Sequence, residues 1–220
     1  MTTKARLKCT RVLLVEEHPV TATGVRDILE QQRRFEVVGI ADSQSEAIRL
    51  AGETAPEVVV VDLSLRDGTG LGLIRVLRQD HTDARVLVFT MHDETLYAER
   101  AMRAGAQGYL HKCASPDELV RAIDDVVAGR LSLSDEMNAR LIRRAIANDT
   151  DGNGVGALSN RELEVFELIG RGTPLSLIAQ QLGISVKTVE SHRENIKRKL
   201  DIASATELNR FAVAWVESPA

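Results

Sequence analysis

Five short apolar runs alternate with amphipathic stretches over residues 11–130, and that alternation restricts the fold more than any other feature of the chain. The runs are Val12–Val15, Val37–Ile40, Val58–Val61, Val86–Phe89 and Gly108–Leu110. Unbroken Val-rich runs mark strands covered on both faces, as in a parallel sheet. Between them, the segments around Val20–Leu29, Ser45–Ala51, Leu71–Leu77, Leu96–Ala104 and Asp117–Val127 read as amphipathic helices. The alternation predicts a doubly wound α/β domain with a five-stranded parallel sheet over residues 10–130. Residues 131–157 are expected to be a connection: a helix over Ser134–Ile146, then the polar, glycine-rich linker NDTDGNGVGA at 148–157.

Composition narrows the choice of function. Aromatic residues make up 3% of the 220 residues and hydrophobic ones 44%, so the core must be mainly Val, Leu, Ile and Ala. The formal charge of −4 lies entirely in residues 1–157, where 20 Lys and Arg meet 24 Asp and Glu. That acidic part is unsuited to nucleic acid. Cys9 and Cys113 are too few for a disulfide framework and lack metal-ligand spacing, so they read as ordinary thiols of a reducing cytoplasm. The N-terminal MTTKARLKCTR is basic, but no apolar region follows it, and no stretch approaches membrane-spanning length. The expectation is a soluble, cytoplasmic protein without a membrane partner.

The last part of the chain, 158–217, reads as four short helices. Ser159-Asn160-Arg161-Glu162 fits a capping box opening a helix that carries Leu163, Phe166, Leu168 and Ile169. A second helix, Leu175–Leu182, is opened by Thr173-Pro174 with Pro at the first helical position, and closed by Gly183. The third, Ser185–Leu200, has Ser185 as N-cap and an apolar stripe of Val189, Ile196 and Leu200. Lys187, Glu190, Ser191, Glu194 and Arg198 fall on its other face. Within it five Lys or Arg meet two Glu, although residues 158–220 as a whole are neutral. A basic helix after a tight glycine turn is the helix-turn-helix arrangement, whose second helix enters the DNA major groove. Ser204 and Glu207 open a last helix bearing Leu208, Phe211, Ala212 and Trp215.

The string LSNRELEVFELIGRGTPLSLIAQQLGISVKTVESHRENIKRKL resembles the LuxR/NarL-type helix-turn-helix in RELEV, in Gly170 and Gly172, in IAQQLGIS, KTVE and HRENIKRKL. The resemblance implies a transcription factor that binds double-stranded promoter DNA as a homodimer, with the last helix pairing. Glu190, Ser191 and Glu194 are then expected at base edges. Lys187, Thr188, Arg193, Lys197 and Arg198 are expected on phosphates.

In a doubly wound sheet, ligands sit at the carboxyl ends of the strands. Those ends carry Glu16 and Glu17, Asp62, Thr90 and Lys112, a convergence that isolated surface residues do not explain. The set resembles the receiver domain of two-component response regulators, which is flavodoxin-like in class. By that resemblance Asp62 accepts a phosphoryl group from a sensor histidine kinase, Lys112 pairs with a phosphoryl oxygen, and Thr90 bonds another after shifting inward. Tyr109 is the aromatic whose orientation reports the state. Mg²⁺ is expected on Glu17, Asp62 and the Ser64 carbonyl, with Glu16 acting through water. Phosphoryl transfer asks for positioning and charge neutralisation more than covalent chemistry, and Mg²⁺ suits carboxylates and water.

Two positions depart from the pattern. The family's acidic pair contains aspartate, whereas both members here are glutamate, each longer by about 1.5 Å. Where proline commonly follows the aspartate by four residues stands Arg66, followed by Asp67-Gly68, which predicts a looser loop with extra charge beside the site. Two readings therefore stay open: a phosphorylation-switched transcription factor, and a phosphorylation-independent one whose degenerate receiver serves regulation or dimerisation. A third, a metal-dependent phosphohydrolase, has no Walker loop, nucleophile elbow or His-rich metal cluster behind it. No enzymatic role is expected.

Overall fold

The first part of the chain contains strands β1 (Thr10–Val15), β2 (Phe35–Ala41), β3 (Val58–Val61), β4 (Ser64–Leu65), β5 (Gly68–Thr69), β6 (Arg85–Thr90) and β7 (Gly108–His111). Five of them form one sheet in the order β2-β1-β3-β6-β7, parallel throughout. The computed structural model describes residues 9–80, 83–147 and 154–217. Contacts divide the chain into two units, Met1–Ile142 and Arg143–Ala220. The five-stranded doubly wound sheet is the architecture the Val-rich runs predict.

Helices α1 (Pro19–Gln31), α2 (Gln44–Thr54), α3 (Gly70–Gln79), α4 (Glu94–Ala104) and α5 (Pro116–Val127) follow the strands, and α6 (Asp135–Ala147) leads out of this unit. Alternate residues of each strand face opposite layers. Val12, Leu14, Val58, Val60, Leu87 and Phe89 pack with Val25 and Leu29 of α1 and with Leu119, Ile123 and Val126 of α5. On the other face α2, α3 and α4 pack side by side. Burial on both sides is why these strands are near-continuous Val and Leu: Val12, Leu13, Val58, Val59, Val61, Val86, Leu87 and Val88 are wholly inaccessible.

Three features were not legible as such. Residues Ser64–Leu65 and Gly68–Thr69 form a small antiparallel hairpin directly after Asp62. Ser132 bridges Gly108 alongside β7, with Tyr109 N donating to Ser132 O at 2.7 Å, so the post-α5 segment covers the sheet's edge. Within the expected linker, Gly154–Ala157 is a 3₁₀ turn with Val155 buried, while residues 148–153 lie outside the described residues, as do 1–8 of the basic N-terminus.

The second unit holds α7 (Asn160–Gly170), α8 (Leu175–Gln181), α9 (Val186–Leu200) and α10 (Ala205–Glu217). Both halves of the Ser159–Glu162 capping box are made. Pro174 is the N-cap of α8 rather than its first helical residue, its carbonyl accepting from Leu177 N and Ile178 N at 2.9 Å. Leu163, Phe166, Ile178, Val189, Ile196, Leu208 and Ala212 form the inaccessible core. Phe166 is flanked by Phe211 and Trp215, ring centroids 5.9 and 5.4 Å away.

Two helical glycines should respond oppositely to alanine. A Cβ on Gly170 would lie 2.5 Å from both the Ala212 carbonyl oxygen and Val216 Cγ2, whereas Gly24 in α1 has nothing within 4 Å. Gly24→Ala is expected to stabilise by about 0.5–1 kcal/mol through helix propensity. Gly170→Ala is expected to destabilise by about 1–3 kcal/mol, because α10 must shift. Urea titrations reporting separately on the two units would check both signs.

Candidate functional site

The strand order places a switch point between β1 and β3, and the polar groups gather at that carboxyl edge. Glu16 and Asp62 are 7% and 4% exposed, and Thr90 is inaccessible. Lys112 crosses from the end of β7, its Nζ 2.5 Å from Glu16 Oε2 and 2.6 Å from Asp62 Oδ2. Glu16 Oε1 accepts from His18 N and lies 2.9 Å from His18 Nδ1. Asp62 Oδ1 has a long contact, 3.5 Å, from Ser64 N. Glu16, His18 and Asp62 form a group whose potential ligand atoms lie within 4.8 Å of one another. Glu17 is half-buried and is not part of that group. His18 went unremarked in the sequence because its side chain, 64% exposed, meets Glu16 only through the turn into α1.

Burial pulls the Lys112 ammonium toward neutrality, but the Asp62 charge, the hydrogen bonds to Asp62 and Glu16 and the Glu16 charge outweigh it, so its pKa rises above the ordinary lysine value. A raised cationic group stabilises fully below the unfolded-state pKa, near 10.4, and the contribution is lost as pH rises through the higher folded one. At neutral pH the bridge is in force.

Thr90 and Tyr109 are joined through one residue. Thr90 Oγ1 accepts from His92 N at 3.4 Å, and Tyr109, 2% exposed, donates its hydroxyl to His92 O at 2.9 Å. His92 also places Nε2 3.2 Å from Ser64 Oγ, while its ring lies 4.6 Å from that of Tyr97. His92 was missed because the sequence offers no spacing that singles it out.

In the second unit Gly183, at φ +62°, makes the turn between α8 and α9, and the Arg161 guanidinium bonds the Leu182 carbonyl there. Ser185 caps α9, accepting from Thr188 N at 3.1 Å, with the two hydroxyls 2.8 Å apart. Thr188 is thus engaged in the cap. Lys187, Glu190, Ser191, Glu194 and Arg198 are exposed, whereas Arg193 and Lys197 are half-buried. Lys197 pairs with Glu194 at 2.8 Å, and Arg198 donates to Asn195 Oδ1 at 2.9 Å. Arg193 Nε is buried without a partner. Buried Glu162 accepts from Lys199 Nζ at 2.6 Å and from Ser159 N at 2.7 Å, locking the last turn of α9 to the start of α7. Burial raises the Glu162 pKa, but the Lys199 and Ser159 bonds and the Lys199 charge bring it below the ordinary value. Its contribution is present above the unfolded carboxylate value and is lost as pH falls through the folded one.

A carboxylate–lysine rim on a parallel sheet of order β2-β1-β3-β6-β7, together with a helix-turn-helix, defines a receiver joined to a DNA-binding unit. Comparison agrees. Residues 12–124 match the family described as response regulator receiver domain, and residues 156–212 match that of bacterial regulatory proteins, luxR family. The chain is 35% identical over 194 residues to the nitrate/nitrite response regulator protein homolog of Haemophilus influenzae, covering 88% of this chain and 91% of that one. It is 33% identical over 202 residues to response regulator UvrY of Escherichia coli, covering 92% and 93%. A LuxR-family two-component response regulator from Aurantimonas sp. superposes with a TM-score of 0.58 at 37% identity, covering 63% of this chain and 99% of that one. RcsB of Salmonella typhimurium shares the fold at a TM-score of 0.69 over 94% of this chain and 98% of that one, with 24% identity. The chain belongs to the LuxR-type response regulators, the two-component transcription factors that pair a receiver with a DNA-binding helix-turn-helix. No helix among the described residues is long and apolar enough to cross a membrane.

Removing the bridging cation should be costly. Lys112→Met leaves Glu16 and Asp62 facing each other without compensation, and loss of one partner from a buried ionic group costs about 3–5 kcal/mol. The stability maximum of the first unit should then move to lower pH, where protonation relieves the repulsion. Denaturation at a series of pH values, with wild type and variant side by side, checks both the size and the direction.

Proposed function

We propose that this transcription factor is switched by phosphorylation of Asp62, and that the switched form binds promoter DNA as a homodimer. The observation that carries the reading is Lys112 Nζ at 2.6 Å from Asp62 Oδ2, beside inaccessible Thr90 at the carboxyl edge. An Asp62 carboxylate oxygen attacks the phosphorus of the donor, from a sensor histidine kinase in the cell. The new bond is O–P, and the donor's bond to phosphorus breaks. Lys112 neutralises the incoming oxygens, and the Thr90 hydroxyl, leaving His92 N, takes another. Tyr109 follows through its bond to the His92 carbonyl.

The Asp62 carboxylate and the Ser64 carbonyl, with Glu16 acting through water, would hold Mg²⁺, an oxygen set that suits the ion, although the cluster the fold gathers there also includes the His18 imidazole. Glu17 would join on turning inward. Bound there, the ion would neutralise charge on the transferring group. A second reading keeps support from the same rim: Lys112 already balances Glu16 and Asp62, and Glu17 stands apart, as a phosphorylation-independent receiver would have it. The hydrolase reading gains nothing, since the relatives are named as response regulators. We take residues 10–130 as the receiver, 131–157 as the connection and 158–217 as the DNA-binding domain. A cytoplasmic location follows from that role.

Acetyl phosphate with Mg²⁺ is expected to add one phosphoryl mass to the wild type and none to Asp62→Asn, while millimolar Mg²⁺ raises the first unit's Tm. Silence in both measurements would leave the phosphorylation-independent reading standing.

On DNA, Lys187, Thr188, Arg193, Lys197 and Arg198 hold phosphates, and Glu190, Ser191 and Glu194 face base edges. Lys187→Ala should weaken binding to all sequences and reduce the salt slope by about 1. Glu190→Ala should change sequence preference by roughly 1–3 kcal/mol at its base pair. Fluorescence anisotropy on operator variants at several salt concentrations separates the two roles. Sedimentation on a full operator reads the stoichiometry.

A further inference from the structure

Helix α2 starts without help from its own N-cap, since the Ser43 side chain makes no capping bond. The acceptors arrive from the loop after Asp62. Asp67 Oδ1 accepts from Gln44 N at 2.5 Å, and Oδ2 accepts from Ser45 N at 3.1 Å and from the Ser45 hydroxyl at 2.7 Å. Beside it Arg66 pairs with Asp42 at 2.9 Å, and Gln44 Oε1 fills the space a side chain on Gly68 would need. A carboxylate at a helix N-terminus meets both unpaired N–H groups and the positive end of the dipole. The Ser45 hydroxyl first, then the backbone bonds of Gln44 and Ser45, hold the Asp67 carboxyl below its usual range against a smaller opposing effect of burial.

The same loop is closed at its root. Gly70 N donates to Leu63 O at 2.9 Å, and Gly70 abuts the Asp62 carbonyl so closely that a Cβ would not fit. On the opposite side Ser64 Oγ meets His92 Nε2. The β4–β5 hairpin is therefore held at its root, at its flank and, through Asp67, at its tip. Asp67 thus fastens the far end of the turn that begins at the Asp62 carboxylate and the Ser64 carbonyl.

We propose that Asp67 is a positioning residue for Asp62. It acts by capping α2 from the hairpin, and it stands in for the rigidity a proline would give the loop. The proposal rests on the reading of Asp62 as phosphoacceptor. Asp67's charge is engaged at α2, not offered to the rim as a further ligand.

The test uses the full chain with Mg²⁺ alone, read by thermal shift, and with acetyl phosphate, read by initial labelling rate. Asp67→Ala is expected to raise the Mg²⁺ concentration needed for a given thermal shift, and to lower the initial labelling rate, each by roughly tenfold, the scale seen when a group supporting a metal site is removed. Asp67→Asn, which keeps an acceptor for Gln44 N, should recover part of the loss. Arg49→Gly, which weakens α2 on its exposed face without touching the hairpin, should lower Tm and leave both readouts unchanged. If Asp67→Ala does not fold, Ser45→Ala replaces it, with a smaller loss of the same kind expected. Wild-type behaviour in the Asp67 variants, or an equal decline in Arg49→Gly, overturns the positioning role alone. A wild type that takes neither Mg²⁺ nor label removes the phosphoacceptor reading and the proposal with it.

Discussion

An ammonium held between two buried carboxylates organises the first unit. A parallel sheet covered on both faces by helices leaves polar chemistry only at the strand ends, so Glu16 at β1 and Asp62 at β3 face each other where water is scarce. Like charges at such range repel strongly in a poorly solvated setting. Lys112 reaches them from β7, at the far edge of the order β2-β1-β3-β6-β7, and its own N–H continues the ladder to Thr90 O at 2.8 Å. One cation therefore ties three strands together at the edge where ligands bind. Anything that draws Lys112 toward a new anion on Asp62 must loosen its hold on Glu16.

That coupling gives the longer acids a physical place. A glutamate following β1 extends farther across the rim than an aspartate would. Glu16 uses its reach to meet Lys112 with one oxygen and the backbone N–H and ring Nδ1 of His18 with the other. Glu17 has no comparable anchor in that group and stays half-exposed. The two members of the pair are thus unequal, Glu16 bound into the charge balance of the rim and Glu17 outside that group.

How much of this could be read from the chain depends on the range of each contact. The Val-rich runs and the Ser159–Glu162 box are local patterns, and both appear in the structure at the residues that signalled them. The strand-end set Glu16, Asp62, Thr90 and Lys112 was legible because topology alone brings strand ends together. Asp67 was not. Its partners Gln44 and Ser45 lie far away in sequence, and the missing proline suggested a loose loop, yet the hairpin is fastened to α2 by three hydrogen bonds from one carboxylate. His92 escaped for a related reason: two of its bonds use backbone atoms, which no side-chain pattern records.

The same limit applies to charge counting on α9. Five cations against two glutamates suggest a uniformly basic helix, but the structure divides them. Lys199 is committed to buried Glu162, Lys197 to Glu194, and Arg198 shares Asn195. The Lys199 pair is buried only at its Glu162 end, and it ties the last turn of α9 to the start of α7. The Lys197–Glu194 pair is exposed on its acidic side, where ion pairs are worth little, so Lys197 can leave Glu194 at small cost. The basic helix is a small set of cations, graded by how readily each can leave its partner.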